Sequence, residues 1–260
     1  MVAVGAGEDG AAWRDALRGW TPARGRALKV DGMTGVWSCE LLGRACVVKG
    51  WMSGGVGDRL KMLLGCSRGW RHWRGASWLM SHGVRTAAPY CMLRGKDSAG
   101  GVVEWLIMER VEGPTVLEVL RDIRDGATDL TVKDQHKVAA SLGVLASEMV
   151  AQGRFNRDNK PSNLILAGWK EGDPVIAVID CVAIRACRRF DFKAMRRMLA
   201  SLVIEPLGAG VLPRRSLLMR GLAEIQGQSW WGVIERAVAM HGDPRPRVDP
   251  FGSRDAGRVG

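Results

Sequence analysis

The stretch that most limits what this chain can fold into lies past its middle. Residues 155–163 read Phe-Asn-Arg-Asp-Asn-Lys-Pro-Ser-Asn, and two short apolar runs follow at 164–166 and 174–179, separated by a polar turn over 168–173 and closed by Asp180. Apolar runs of this length bounded by turn residues predict strands. The segment therefore reads as a polar loop followed by a hairpin that carries a carboxylate back toward the loop. A loop that only caps a strand does not need Arg157, Asp158, Lys160, Pro161 and Asn163 at these spacings. At average residue frequencies the five coincide in roughly a few chains per ten thousand.

Phosphoryl transfer needs a group to orient the attacking hydroxyl, ligands for a metal on the phosphates, and a cation for the charge that develops on the phosphate oxygens. Nine residues here hold candidates for most of these parts. The segment resembles the catalytic loop of protein-kinase-like enzymes, in which Arg-Asp is followed by Lys two residues and Asn five residues after the Asp. The resemblance implies that Asp158 orients the acceptor and takes its proton, that Lys160 offsets charge on the transferred group, and that Asn163 and Asp180 hold Mg²⁺. Amide and carboxylate oxygens suit that hard cation.

The rest of the chain supplies a context for such a loop. Residues 27–31, 36–42 and 45–49 read as three short antiparallel strands joined by a 32–35 turn and a Gly43-Arg44 turn, and 102–108 as a fourth. Between them 71–81 reads as one helix, with Trp70, Trp73, Ser77 and Met80 near one face. Val111-Glu-Gly-Pro114 then breaks the chain, and helical periodicity dominates from Thr115 onward. The strongest helix covers 131–152, with Val138, Leu142, Leu145 and Met149 on one stripe. Further helices are expected over 190–202, 213–226 and 229–240. The domain organisation expected is an N-terminal extension over 1–25 that need not be ordered, a sheet-rich lobe over 26–110, a helical lobe over 111–241, and a disordered tail over 242–260.

Composition narrows the setting. With 38 basic and 27 acidic residues the chain carries a formal charge of +11, which favours an anionic partner. Single-strand nucleic-acid binders place aromatics in basic grooves, but several of the eleven Trp here fall at core-like helical positions, so no specific nucleic acid is expected. The six cysteines show no zinc-knuckle or redox spacing, and the four histidines no helical metal pair. Apolar runs stop short of the ~18 residues that spanning a bilayer takes, and the first residues lack the pattern of a secretory signal. A cytoplasmic address is expected.

The wider pattern resembles the bacterial lipopolysaccharide kinase family, which phosphorylates Kdo or heptose of the lipid A inner core. The phrases that carry this are Val47-Val48-Lys49, the basic stretch 59–74, and Gly83-Val84-Arg85-Thr86. The resemblance spans about residues 30–225. It implies an α+β, two-lobed protein-kinase-like fold: a small antiparallel-sheet N-lobe with one helix and a larger, mainly helical C-lobe. Lys49 would hold the α- and β-phosphates of ATP, Gly32 and Gly35 would lie over the nucleotide, and Glu109 and Val111 would meet the adenine at a hinge. ATP and Mg²⁺ are the implied cofactors, an anionic glycolipid or other hydroxyl acceptor the implied partner, and peripheral contact with an anionic membrane the implied setting.

Four positions depart from that pattern. Asn156 stands where a histidine usually precedes Arg-Asp, and Val182 where glycine follows the metal-binding Asp. Arg71-His72-Trp73 offers no carboxylate for Lys49, and Ala87 replaces a proline. A Ser/Thr-type protein kinase and a non-catalytic pseudokinase serving as a regulatory module are the competing readings.

Overall fold

Strands with apolar residues on both faces need cover on both, and the first part of the chain supplies it. The computed structural model describes residues 3–96, 101–168, 173–211, 224–225, 228–229 and 231–241. The elements in order are β1 (Ala3–Val4), α1 (Gly10–Arg18), β2 (Arg26–Asp31), β3 (Thr34–Leu41), β4 (Arg44–Met52), α2 (Val56–Leu63), α3 (Arg68–Ser81), β5 (Pro89–Lys96) and β6 (Val102–Glu109). The six strands form one sheet in the order β1-β5-β6-β4-β3-β2, with antiparallel pairing throughout. The turn between β3 and β4 places Leu42 at φ 51° and Gly43 at φ 69°. Two successive positive φ values make the tight hairpin turn whose twist matches that of the strands.

Because side chains alternate along a strand, β4 serves two layers. Cys46 and Val48 point into a core with Leu41, Cys91, Leu93, Ile107, Trp13 and Trp20. Large apolar side chains contribute about 1.5–3 kcal/mol each on full burial. Lys49 and Trp51 point the other way, toward α3, where the Trp51 and His72 rings lie 6.2 Å apart.

Several expectations change here. Residues 3–25 are not a loose extension: β1 pairs with β5, Trp13 of α1 stacks on Tyr90 at 5.1 Å, and Glu8 accepts hydrogen bonds from both Trp13 Nε1 and Arg44. A helix capped by Asp9 that buries a tryptophan has too much apolar contact to stay free. The sheet carries three helices rather than one, and it gains β5, hidden in the sequence by its initial Pro89 and internal Gly95. On α3 the buried face is Gly69, His72, Gly75, Ala76 and Leu79, not the stripe through Trp70, Trp73, Ser77 and Met80. Two glycines and a histidine on the inner face, with the tryptophans only half-buried, weaken the usual periodicity signal.

The remaining elements are α4 (Val116–Arg124), α5 (Val132–Ala151), β7 (Arg154–Asn156), β8 (Leu164–Ala167), β9 (Val175–Val178), β10 (Ile184–Ala186), α6 (Phe192–Gly208), β11 (Glu224–Ile225), β12 (Gln228–Ser229) and α7 (Trp231–His241). Thr115 with Glu118 and Thr131 with Asp134 form capping boxes at the starts of α4 and α5, satisfying backbone donors that the first turn leaves unpaired. Val138, Leu142, Leu145 and Met149 are all buried, as their spacing predicts. The helix expected over 213–226 lies mostly outside the described residues, and its end, Glu224–Ile225, is strand β11. The expected tail over 242–260 also lies outside them. By backbone contacts the chain divides into two compact units, Met1–Glu112 with Ala177–Ile184, and Gly113–Ile176 with Arg185–Gly260. Among the described residues no helix is long and apolar enough to cross a membrane.

Candidate functional site

The candidate residues fall into two groups, one in each unit. In the first unit, β4 carries Lys49, α3 carries His72, and the segment after β9 carries Asp180. Segment 85–87 holds the end of β9: Thr86 Oγ1 donates to the Val178 carbonyl at 2.6 Å, and Val178 N donates to the Arg85 carbonyl at 3.0 Å. Lys49 Nζ donates to the Ile179 carbonyl at 2.9 Å, one residue from Asp180. Val182 N–H donates to Asp180 Oδ1 at 3.2 Å, so the backbone at the position that departs from glycine fixes one carboxylate oxygen.

His72 occupies the helix position from which a carboxylate would reach Lys49. It is fully buried, neither ring nitrogen has a hydrogen-bond partner, and Nδ1 lies 3.6 Å from Asp180 Oδ1. Burial pushes the imidazole down to about 3, Lys49 adds to that push, and Asp180 only partly opposes it. His72 is therefore neutral, and its approach to Asp180 is not an ion pair. Burial also raises the Asp180 carboxyl, but the Lys49 charge and the Val182 N–H outweigh it and hold the group below the ordinary carboxylate value. Asp180 stays ionised.

One participant went unread in the sequence. A Cβ on Gly75 of α3 would meet the Cys181 carbonyl oxygen at 2.4 Å and the Cys181 Cβ at 2.9 Å. Helix α3 thus packs backbone to backbone on the Asp180 segment, which only glycine permits. Its signal was a glycine inside a helical pattern.

In the second unit, the loop after β7 carries Asp158, Lys160 and Asn163. Buried Asn156 sets the start of the loop by accepting from Asp158 N at 3.0 Å through its side-chain oxygen. Lys160 Nζ lies 2.8 Å from Asp158 Oδ1, and Asn163 Nδ2 donates to the Asp158 carbonyl at 3.0 Å and to Oδ2 at 3.3 Å. A short 3₁₀ turn over Pro161–Asn163 leads into β8, and Ser162 is clamped by Glu205 of α6 through its N–H at 2.8 Å and its hydroxyl at 2.5 Å. The spacing-derived trio is thus brought together around one carboxylate. Glu205 and Asn156 are its supports.

The nucleotide-side candidates are placed less simply. Gly32, at φ 47°, makes the β2–β3 turn with Met33, whereas Gly35 lies within β3. There the Trp37 ring folds over the backbone so closely that a Cβ would sit 1.8 Å from it, which gives Gly35 a packing role instead of a turn role. Glu109 ends β6, forms an ion pair with Arg85, and spends its N–H on the Ala88 carbonyl at 2.8 Å. Val111 is buried.

The donor chemistry fits Mg²⁺ in kind. In the first unit Asp180 is an ionised carboxylate; in the second, Asn163 commits its Nδ2 to Asp158 and keeps its amide oxygen as an acceptor. Among the described residues no three His, Cys, Asp or Glu side chains cluster to hold a metal by themselves.

No family model matches the sequence, and no curated protein sequence matches it. Solved structures do match in fold. One is described as WaaP in complex with acyl carrier protein; the likeness has a TM-score of 0.59 at 17% sequence identity and covers 83% of this chain and 88% of that chain. The fold is therefore mixed α/β and similar to that of WaaP. A fold shared among 1733 matching chains does not by itself fix an activity, so the reading of function rests on the site.

Proposed function

We propose that this chain is an ATP- and Mg²⁺-dependent kinase that transfers the γ-phosphate to a hydroxyl of a lipopolysaccharide inner-core sugar, Kdo or heptose. The observation that carries the reading is the gathering of Lys160 and Asn163 about the Asp158 carboxylate on a loop fixed by Asn156 and Glu205. The likeness in fold to WaaP supports the choice of acceptor class.

In this mechanism Asp158 orients the acceptor hydroxyl and takes its proton as the new O–P bond forms and the bond to the β-phosphate bridging oxygen breaks. Lys160 follows the transferred group and offsets its charge. Lys49 would hold the phosphates, and Asn163 and Asp180 would offer an amide and a carboxylate oxygen to Mg²⁺, whose chemistry there would be to offset phosphate charge. Phosphate transfer to de-acylated core oligosaccharide, measured for wild type and Asp158→Ala, tests the assignment. A loss on the order of 10²-fold or more is expected for removal of a positioned base; equal rates would remove Asp158 from this role.

One observation favours a second reading, a non-catalytic module. Lys49 is held by a backbone carbonyl and the helix beside it offers a neutral imidazole in place of a carboxylate. Absence of any MgATP-dependent rise in melting temperature would select it.

A further inference from the structure

Helix α2 is inside out. At 100° per residue, Val56, Leu60, Leu63 and the capping Leu64 fall within roughly one-third of the helix circumference. That stripe faces solvent, with the four residues 83%, 54%, 75% and 67% exposed. The side turned to the protein has only Met62 buried, with Asp58 bonded to Gly54 N and to Lys61. Arg59 borders the stripe on one edge and Lys61 on the other, both exposed. Exposed Met33 and Met52 adjoin the start of the helix: Met52 N donates to the Met33 carbonyl, and Met33 Cε would lie 3.6 Å from a Cβ on Gly54. Clusters of protruding large apolar side chains are uncommon on soluble proteins and mark contact surfaces.

We infer that the α2 face docks on an anionic phospholipid surface, with Val56, Leu60, Leu63 and Leu64 entering the acyl boundary and basic side chains meeting the headgroups. An exposed apolar stripe with a basic side chain on each edge has the make-up of helices that lie in a lipid interface. Charge points to the same partner. Residues 56–74 contain Arg59, Lys61, Arg68, Arg71 and Arg74 against Asp58 alone, and Asp58 is already paired with Lys61. Basic residues flanking an apolar ridge are drawn to anionic headgroups while their stems lie along hydrocarbon. This inference does not depend on catalysis.

The test is co-sedimentation of the full chain with phosphatidylcholine vesicles and with vesicles containing about one-third phosphatidylglycerol. The wild type is expected to pellet with the anionic vesicles and to retain a bound fraction at high salt. Leu60→Glu/Leu63→Glu should lower binding about tenfold or more at every salt concentration, with an unchanged melting temperature. Leu63→Ser, a milder change at an exposed site, should lower it to a lesser degree. Arg59→Glu should weaken binding chiefly at low salt. Wild-type binding that salt abolishes and the leucine variants share would reduce the effect to net charge and overturn the inference. So would no vesicle binding together with a solution dimer that Leu63→Glu dissolves, which would assign the face to a second copy of the chain.

Discussion

The surroundings of Asp158 and of Asp180 differ in kind, although both are carboxylates on loops beside short strands. Asp158 and its partner Lys160 are 37% and 39% exposed, and each oxygen of the carboxylate has a side-chain donor or cation within 3.3 Å. Asp180 is set beside a fully buried, neutral, unbonded imidazole, and the lysine near it is tied to a backbone carbonyl. The first arrangement can rearrange cheaply because water replaces whatever is lost. The second is built into the packing of α3: its geometry is set by the backbone contact at Gly75 and by the burial of His72, while the Asp180 side chain itself is 35% exposed, nearly as much as that of Asp158. A rigid anionic group suits holding a ligand; an adjustable one suits handling a proton.

This contrast can be broken first at the level of nucleotide binding. MgATP at about a hundredfold excess over its Kd should raise the melting temperature by roughly 5–10 °C, and Asp180→Ala should abolish that rise while Asp158→Ala keeps most of it. Equal loss in both variants would end the division of labour. Next in size is Gly75→Ala. In an exposed helix this change stabilises by about 1 kcal/mol, but here the Cys181 carbonyl stands 2.4 Å from the new methyl, and chemical denaturation should show a loss of about 3 kcal/mol.

The buried imidazole sharpens the comparison through pH. His72 titrates near 6.5 when unfolded and about 3 when folded, so between those values the unfolded chain holds the extra proton and stability falls as pH falls. The contribution is complete above 6.5. At pH 5 the wild type should have lost about 2 kcal/mol through this group, a slope that His72→Gln flattens. Smallest is Lys160→Met: half-exposed on the loop, it should change stability by less than about 0.5 kcal/mol while slowing phosphate transfer.

Legibility in the sequence followed locality. Helix α5 was readable because Val138, Leu142, Leu145 and Met149 report a single buried stripe, and the hairpin after Asn163 because turn residues bound its apolar runs. Helix α3 misled because three of the five residues on its inner face, Gly69, His72 and Gly75, carry no apolar signal, while its tryptophans are only half-buried. The N-terminal segment misled because Trp13 is one tryptophan in a run of small and polar residues, and only its stacking on Tyr90, some 77 positions away, shows that it belongs to the core.

By itself the sequence determined the loop from Arg157 to Asn163, since five residues fall within seven positions and three of them, Asp158, Lys160 and Asn163, meet one another through local turns. The tertiary structure decided what surrounds Asp180. Desolvation, the carbonyl that receives Lys49, and the glycine contact that seats α3 all come from groups separated by tens of residues, and no spacing along the chain encodes how closely two backbones will approach.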